Sequence, residues 1–219
     1  MKCIRLLNVF LLTVCGCLNG AEELPMLYRD LDVLPFDNHG WYGNAEQMEN
    51  LFNSNPGIKV VIEIGSWLGS STRHIASLVP DDGMVYAVDH WLGSSEHQPG
   101  NPTWYEALPY LYQQFLSNVI HAGLTHKVTP VRMGSLEAAK ALKNIQPDLI
   151  YVDGSHDSIS LYNDLEAWFP FVKGNGVMCG DDWRWGHSRD VIGRFAEENN
   201  LKIVVPNEAD GGNFWYFQE

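Results

Sequence analysis

The chain has 219 residues, a net charge of -13, 45% hydrophobic residues and 19% charged residues. That is enough for one domain with a full core, and it excludes a disordered chain. The acidic balance argues against a nucleic-acid backbone as the main partner and against binding to anionic lipid surfaces.

Residues 1–20 read as a signal peptide. Lys2 and Arg5 precede an apolar run over 6–14, a charged segment followed by a short hydrophobic one. The run is too short for a membrane span, so none is expected in the mature chain. Cleavage near Gly20 or Ala21 is the favoured outcome. Val14-Cys15-Gly16-Cys17 is also similar to a lipoprotein box, which would place a lipid anchor on Cys17. The leader implies a secreted or periplasmic protein, and a cytoplasmic one if it is not processed. Three of the four cysteines lie in this leader. The mature chain then has no disulfide framework and no cysteine metal site, and Cys179 reads as a core residue.

Residues 21–56 are rich in Pro, Asp, Asn, Gly and aromatics. They read as an N-terminal arm or cap with a helix around 45–52. From 57 to 219 the pattern alternates. A strand over 59–64 is followed by a helix over 70–78 and a turn at Pro80-Asp81-Asp82-Gly83. A strand over 84–88 ends at Asp89. Residues 103–122 read as mostly helical, interrupted by Pro109. A strand over 127–132 and a helix over 136–144 follow, then a strand over 148–152 ending at Asp153. The next helix, 158–172, carries the stripe Tyr162, Leu165, Trp168, Phe169 and Val172. A strand over 176–179 ends at Gly180-Asp181-Asp182. A helix over 188–199 and strands over 201–205 and 213–217 complete the chain. This alternation predicts an α/β fold, a Rossmann-like, doubly wound, mostly parallel seven-stranded sheet with helices on both faces.

Ligands of such sheets bind at the carboxyl ends of the strands. There the first strand meets Glu63-Ile64-Gly65-Ser66-Trp67-Leu68-Gly69-Ser70-Ser71-Thr72, a glycine turn opening a helix. The glycines allow close backbone approach, and the helix start offers unpaired N–H groups. The spacing is neither the dinucleotide fingerprint nor a P-loop, and no lysine follows for a triphosphate. Asp89, about 20 residues beyond the glycine loop, stands where an acidic residue binds ribose hydroxyls. Glu63, Asp89, Asp153, Asp181 and Asp182 all fall at strand ends. Carboxylates gathered on one rim repel one another without a ligand or cation.

Glu63-x-Gly65-x-x-x-Gly69-x-Ser71, followed by Asp89, resembles the S-adenosylmethionine (SAM) site of class I methyltransferases. Tyr151-Val152-Asp153-Gly154-Ser155-His156-Asp157, Asp164-Leu165, Trp168, Gly174-Asn175-Gly176 and Gly180-Asp181-Asp182-Trp183 are similar to one group within that class. The group holds small metal-dependent sugar O-methyltransferases and a cephalosporin-pathway protein. The resemblance implies a class I methyltransferase domain over 57–219. It implies that Glu63, Gly65, Ser66, Gly69 and Ser71 line the methionine and ribose part of SAM. Asp89 and His90 would hold the ribose, Gly134 and Ser135 would sit beside the adenine, and Asp153 would border the donor. It further implies that Asp153, Asp181 and Asp182 bind Mg²⁺. Hard carboxylate oxygens do suit Mg²⁺ or another hard divalent cation.

The expected function is SAM-dependent O-methylation of a small hydroxylated acceptor such as a sugar, polyol or phenol, assisted by that cation. His156, whose ring titrates near neutral pH, is the candidate base beside Asp153, with a second role as a support for the strand-end loop left open. Some members of the group carry an acidic residue two positions after the first metal aspartate, where this chain has Ser155. Two other functions stay open: a metal-dependent hydroxylase of the same fold, and a secreted SAM-fold binding protein without turnover. A homo-oligomer is also left open. Trp91, Tyr105, Tyr110, Tyr112, Trp183 and Trp185 read as aromatics near the rim, with Trp183 and Trp185 as acceptor contacts. Trp104, Leu108, Leu111 and Phe115 share helical spacing and read as a core face.

Overall fold

A computed structural model describes residues 24–94, 97–101, 105–172, 174 and 176–218. The leader with Cys17, residues 21–23 of the arm and Trp104 lie outside the described residues.

The strands are β1 (Val60–Ile64), β2 (Met84–Asp89), β3 (Val128–Arg132), β4 (Leu149–Val152), β5 (Val177–Gly180), β6 (Lys202–Val204) and β7 (Trp215–Gln218). The helices are α1 (Ala45–Ser54), α2 (Ser70–Leu78), α3 (Leu111–His121), α4 (Ser135–Ala141), α5 (Ser158–Trp168) and α6 (Gly186–Asn199). They build one seven-stranded sheet in the order β3-β2-β1-β4-β5-β7-β6. The first five strands pair in parallel, and β7 runs antiparallel between β5 and β6. The mostly parallel, doubly wound sheet expected from the sequence is therefore present. None of the helices among the described residues is long and apolar enough to cross a membrane.

Alternation along each strand sends side chains to two cores. Val61, Leu149, Tyr151 and Cys179 pack with Met48, Ile75 and Phe115 on the face covered by α1, α2 and α3. Ile62, Ile64, Ile150, Val152 and Met178 pack with Leu165, Trp168, Ile192 and Phe195 on the other face. A central strand covered on both sides is apolar at nearly every position, which is why β1 and β4 read as continuous runs. Each fully buried aliphatic or aromatic side chain contributes about 1.5–3 kcal/mol.

The helix expected over 103–122 is shorter. A 3₁₀ turn at Leu108–Tyr110 with Pro109 inside it precedes α3, because proline has no N–H for an α-helical bond. The arm is stitched to α3 by polar side chains. Leu34 N–H donates to Ser117 Oγ (2.9 Å), and Asp37 N–H to Asn118 Oδ1 (3.1 Å). Asn118 Nδ2 in turn donates to the carbonyls of Asp37 and Leu68. One buried amide thus holds the arm against the glycine loop.

Candidate functional site

The carboxyl ends of the parallel strands open onto a cavity of about 710 Å³. That is the size of a small-molecule site. Gly65 ends β1 at φ +88°, and its N–H donates to the Val88 carbonyl (2.9 Å). Gly69, at φ +78°, opens α2. Gly65, Ser66 and Ser71 border the cavity. Gly69 packs instead against the Phe115 ring, which a Cβ there would meet at 2.9 Å. Glu63 lies beneath the wall. Strand alternation turns its fully buried side chain toward α2, where Oε2 accepts from the hydroxyls of Ser66 (2.7 Å) and Thr72. Among the described residues, Glu63 Oε1 is buried without a hydrogen-bond partner. Burial pushes this carboxyl above its ordinary range, against the pull of the surrounding hydroxyls. Glu63 and Gly69, both expected to line the SAM site, do not border the cavity; each instead holds Ser66, Glu63 through the serine hydroxyl and Gly69 by donating its N–H to the serine carbonyl (2.7 Å).

Asp89 faces the cavity from the end of β2. Its Oδ2 accepts from Trp67 N–H (2.9 Å) and its Oδ1 from Trp91 N–H (2.6 Å). A carboxylate has about four acceptor positions, so these bonds do not saturate it. Burial raises the Asp89 carboxyl, and the two N–H donors oppose the rise. His90 also borders the cavity, and its Nδ1 accepts from Leu92 N–H (3.0 Å). Gly134 and Ser135 border it from the start of α4, with Ser135 Oγ accepting from Trp168 Nε1 (2.7 Å). Asp164 of α5 lines this same end. Burial, then the nearby Asp157 charge, pushes its carboxyl up to about 6, although Ser135 donates to it.

The acidic end gathers Asp153, Asp181, Asp182 and His156 on the cavity wall. Burial, and then the charges of Asp181, Asp182 and Glu63, hold the Asp153 carboxyl well above the usual range. Burial also pushes Asp181 up to about 6. The donors to these two carboxylates are neutral. Tyr151 Oη donates to Asp153 Oδ2 (3.1 Å), while Asn213 Nδ2 and Asp182 N–H (2.7 Å) donate to Asp181 Oδ1. Asp182 stands in the left-handed region at φ +68° and meets His156 Nε2 at 3.1 Å. The Trp185 ring lies against the His156 ring, centroids 4.6 Å apart. Ser155 donates to Asp157 Oδ2 (2.7 Å), and Asp157 caps α5 through Ile159 and Ser160 N–H; the Ser160 hydroxyl and N–H, then the Ser155 hydroxyl, hold its carboxyl down at about 2. Ser155 is thus committed to the helix cap.

The chemistry of this donor set fits a hard divalent cation, because three carboxylates repel one another there and no lysine or arginine is paired with them among the described residues. Among the described residues, no group of three His, Cys, Asp or Glu side chains is already drawn together closely enough to hold a metal ion. Mg²⁺ commonly takes only one or two carboxylates and completes its shell with water or substrate oxygens.

Several wall residues have no signature in the sequence. Trp41 and Tyr42 of the arm border the cavity, as does Asn213 in the loop before β7. Two of the aromatic expectations change. Trp91 is buried in the α3-side core, and its Nε1 donates to the Trp67 carbonyl (2.7 Å). Trp183 is buried as well, with Nε1 donating to Glu208 Oε1 (2.9 Å), so it does not face the cavity. Trp185, about half exposed, does.

A family model described as a methyltransferase domain matches residues 62–183. An Arabidopsis thaliana protein provisionally named as a caffeoyl-CoA O-methyltransferase is 24% identical over 153 residues, 66% of this chain and 59% of its own length. The chain therefore spans under two thirds of that relative. The crystal structure of a Staphylococcus aureus protein with the same provisional name superposes with a TM-score of 0.62 at 16% identity, covering 83% of this chain and 85% of that one. An O-methyltransferase from Bacillus cereus, solved with SAH, superposes at 0.61 and 16% identity, covering 84% of each chain. The likeness in structure is a likeness of fold, and the match over more than half the sequence goes further: this chain belongs to the methyltransferase-domain family, with the class I fold.

Proposed function

We propose that the protein transfers a methyl group from SAM to a hydroxyl of a small acceptor, with a hard divalent cation at Asp153, Asp181 and Asp182. The observation that carries this is one continuous cavity with the Asp89 carboxylate on one wall and the half-buried Asp153–Asp181 pair on another. SAM supplies the reactive methyl, which leaves the protein to orient and to exclude water. Asp89 would accept the ribose hydroxyls with the acceptor capacity its N–H donors leave open. Gly65, Ser66 and Ser71 would shape the methionine end, and His90, Gly134 and Ser135 the adenine end. SAH in the Bacillus cereus neighbour supports that donor.

A bound cation would lower the pKa of an acceptor hydroxyl. Asp182 holds the His156 ring by Nε2, and the ring would take the departing proton. Trp185 would flank the acceptor beside His156. Calorimetric titration of the mature chain with SAM, with and without Mg²⁺, tests the reading. Absence of heat in both conditions would sink it. Methyl transfer unaffected by chelator and by Asp181→Ala would remove the cation from it.

The leader supports a secreted or periplasmic location, with lipidation at Cys17 as the other outcome. Mass spectrometry of the mature N-terminus distinguishes cleavage, lipidation and an intact leader.

A further inference from the structure

Asn44 stands directly before α1, where an asparagine side chain ordinarily caps the helix by accepting from its first N–H groups. Here it makes no capping bond. The side chain is turned inward and buried, 5% exposed, and Nδ2 donates to Tyr151 Oη at 3.4 Å. The same amide faces Asp181 and pulls its carboxyl down against burial. Tyr151 is fully buried in β4, on the face toward α1, and passes its own O–H to Asp153 Oδ2 at 3.1 Å. An amide from the arm and a phenol from the sheet thus join two carboxylates at the ends of different strands.

Capping would have contributed about 1 kcal/mol to α1. The fold forgoes it and spends the only strong hydrogen-bonding group at that position on the acidic end of the cavity. Both donors are neutral, so they fix the carboxylates without cancelling their charge. A lysine or arginine in either place would hold Asp153 and Asp181 just as firmly and would exclude a cation.

We propose that Asn44 and Tyr151 are positioning residues for the acidic centre, determining which oxygens of Asp153 and Asp181 stay open to the cavity and making the arm part of that centre. This rests on the cation reading of the same site. Residues in this role, one step behind the ligating groups, change metal affinity by about 10–100-fold when removed.

The experiment uses the full mature chain, with Mn²⁺ as the probe cation in the presence of SAM. Wild type, Asn44→Ala, Asn44→Asp and Tyr151→Phe are each titrated with Mn²⁺ and with SAM, and melted in chelator. Tyr151→Phe and Asn44→Ala are expected to weaken Mn²⁺ by about tenfold or more while leaving SAM affinity within about twofold. Asn44→Asp separates positioning from capping, because Asp caps a helix as well as Asn does. If Asn44 serves the carboxylates, Asn44→Asp adds a like charge beside Asp181. It then melts below Asn44→Ala in chelator, and Mn²⁺ recovers part of the loss. Asn44→Asp melting like wild type, or unchanged Mn²⁺ affinity in Tyr151→Phe and Asn44→Ala, would overturn the proposal. Wild type that binds SAM and no Mn²⁺ would overturn it while leaving the donor site standing. Wild type that binds neither removes the functional reading itself.

Discussion

A Cβ on Gly65 would lie 1.9 Å from the carbonyl oxygen of Asp153. The ends of β1 and β4 are pressed together at that point, with Gly65 at φ +88°. Gly65→Ala therefore combines a backbone clash with a strained dihedral. A loss on the order of 3–5 kcal/mol is expected. Urea unfolding checks the stability, and SAM titration of the folded fraction should show no binding. A variant as stable as wild type that still binds SAM would contradict the geometry.

Asp89→Ala should weaken SAM by about 100-fold, since charge-assisted hydrogen bonds contribute about 1.5–3 kcal/mol each. It also strips acceptors from Trp67 and Trp91 N–H, so the melting temperature should fall with it. Asp89→Asn keeps an oxygen for one of those N–H groups and should recover more stability than affinity. Equal recovery of both would mean that Asp89 only holds the loop.

Asp164 should make the protein less stable as pH rises. Its carboxyl is raised from 3.8 to about 6 in the folded chain. A raised carboxyl favours the protonated folded state, so its contribution is full below about pH 4 and is lost as pH climbs through about 6. The loss is on the order of 2–3 kcal/mol. Denaturant melts at pH 4.5 and 7.5 should differ less in Asp164→Asn than in wild type. An identical difference in the two proteins would refute the assignment.

His156→Ala should cut the rate of methyl transfer by about 100-fold or more, the usual contribution of a general base. The SAM dissociation constant should not move, because His156 lies at the acidic end of the cavity with Asp182 and Trp185. Transfer from labelled SAM to a panel of catechols and polyols measures the rate. A large loss of SAM affinity would instead mark His156 as a support for the strand-end loop.

Much of this architecture is legible in the sequence, because strands buried on both faces leave dense apolar runs and the turns between them carry glycine and aspartate. The bounds of α2 and the aspartates at the ends of β2, β4 and β5 follow from that local pattern alone. Asn44, Tyr151 and Asn213 do not. Tyr151 reads as one more apolar strand residue, and its partner Asn44 lies 107 positions away. Asn213 reaches Asp181 across 32 positions. Such pairings leave no period in the chain. Trp91 and Trp183 depart from their sequence expectation for a related reason: an indole just past a strand-end aspartate reads as a surface loop residue. Each instead buries its ring and spends its single N–H on one acceptor, a carbonyl for Trp91 and a carboxylate for Trp183.

The antiparallel last strand has a consequence for how the molecule is made. Because β7 runs against its neighbours, the loop at its start, with Asn213, comes back to the rim and grips Asp181, which Asn44 of the arm faces as well. A nascent polypeptide with β1 to β5 already outside the ribosome still lacks the Asn213 grip. The acidic centre is completed only after residue 213, 32 positions beyond Asp181, has emerged, so a growing chain with the whole parallel sheet in hand still holds an unfinished rim.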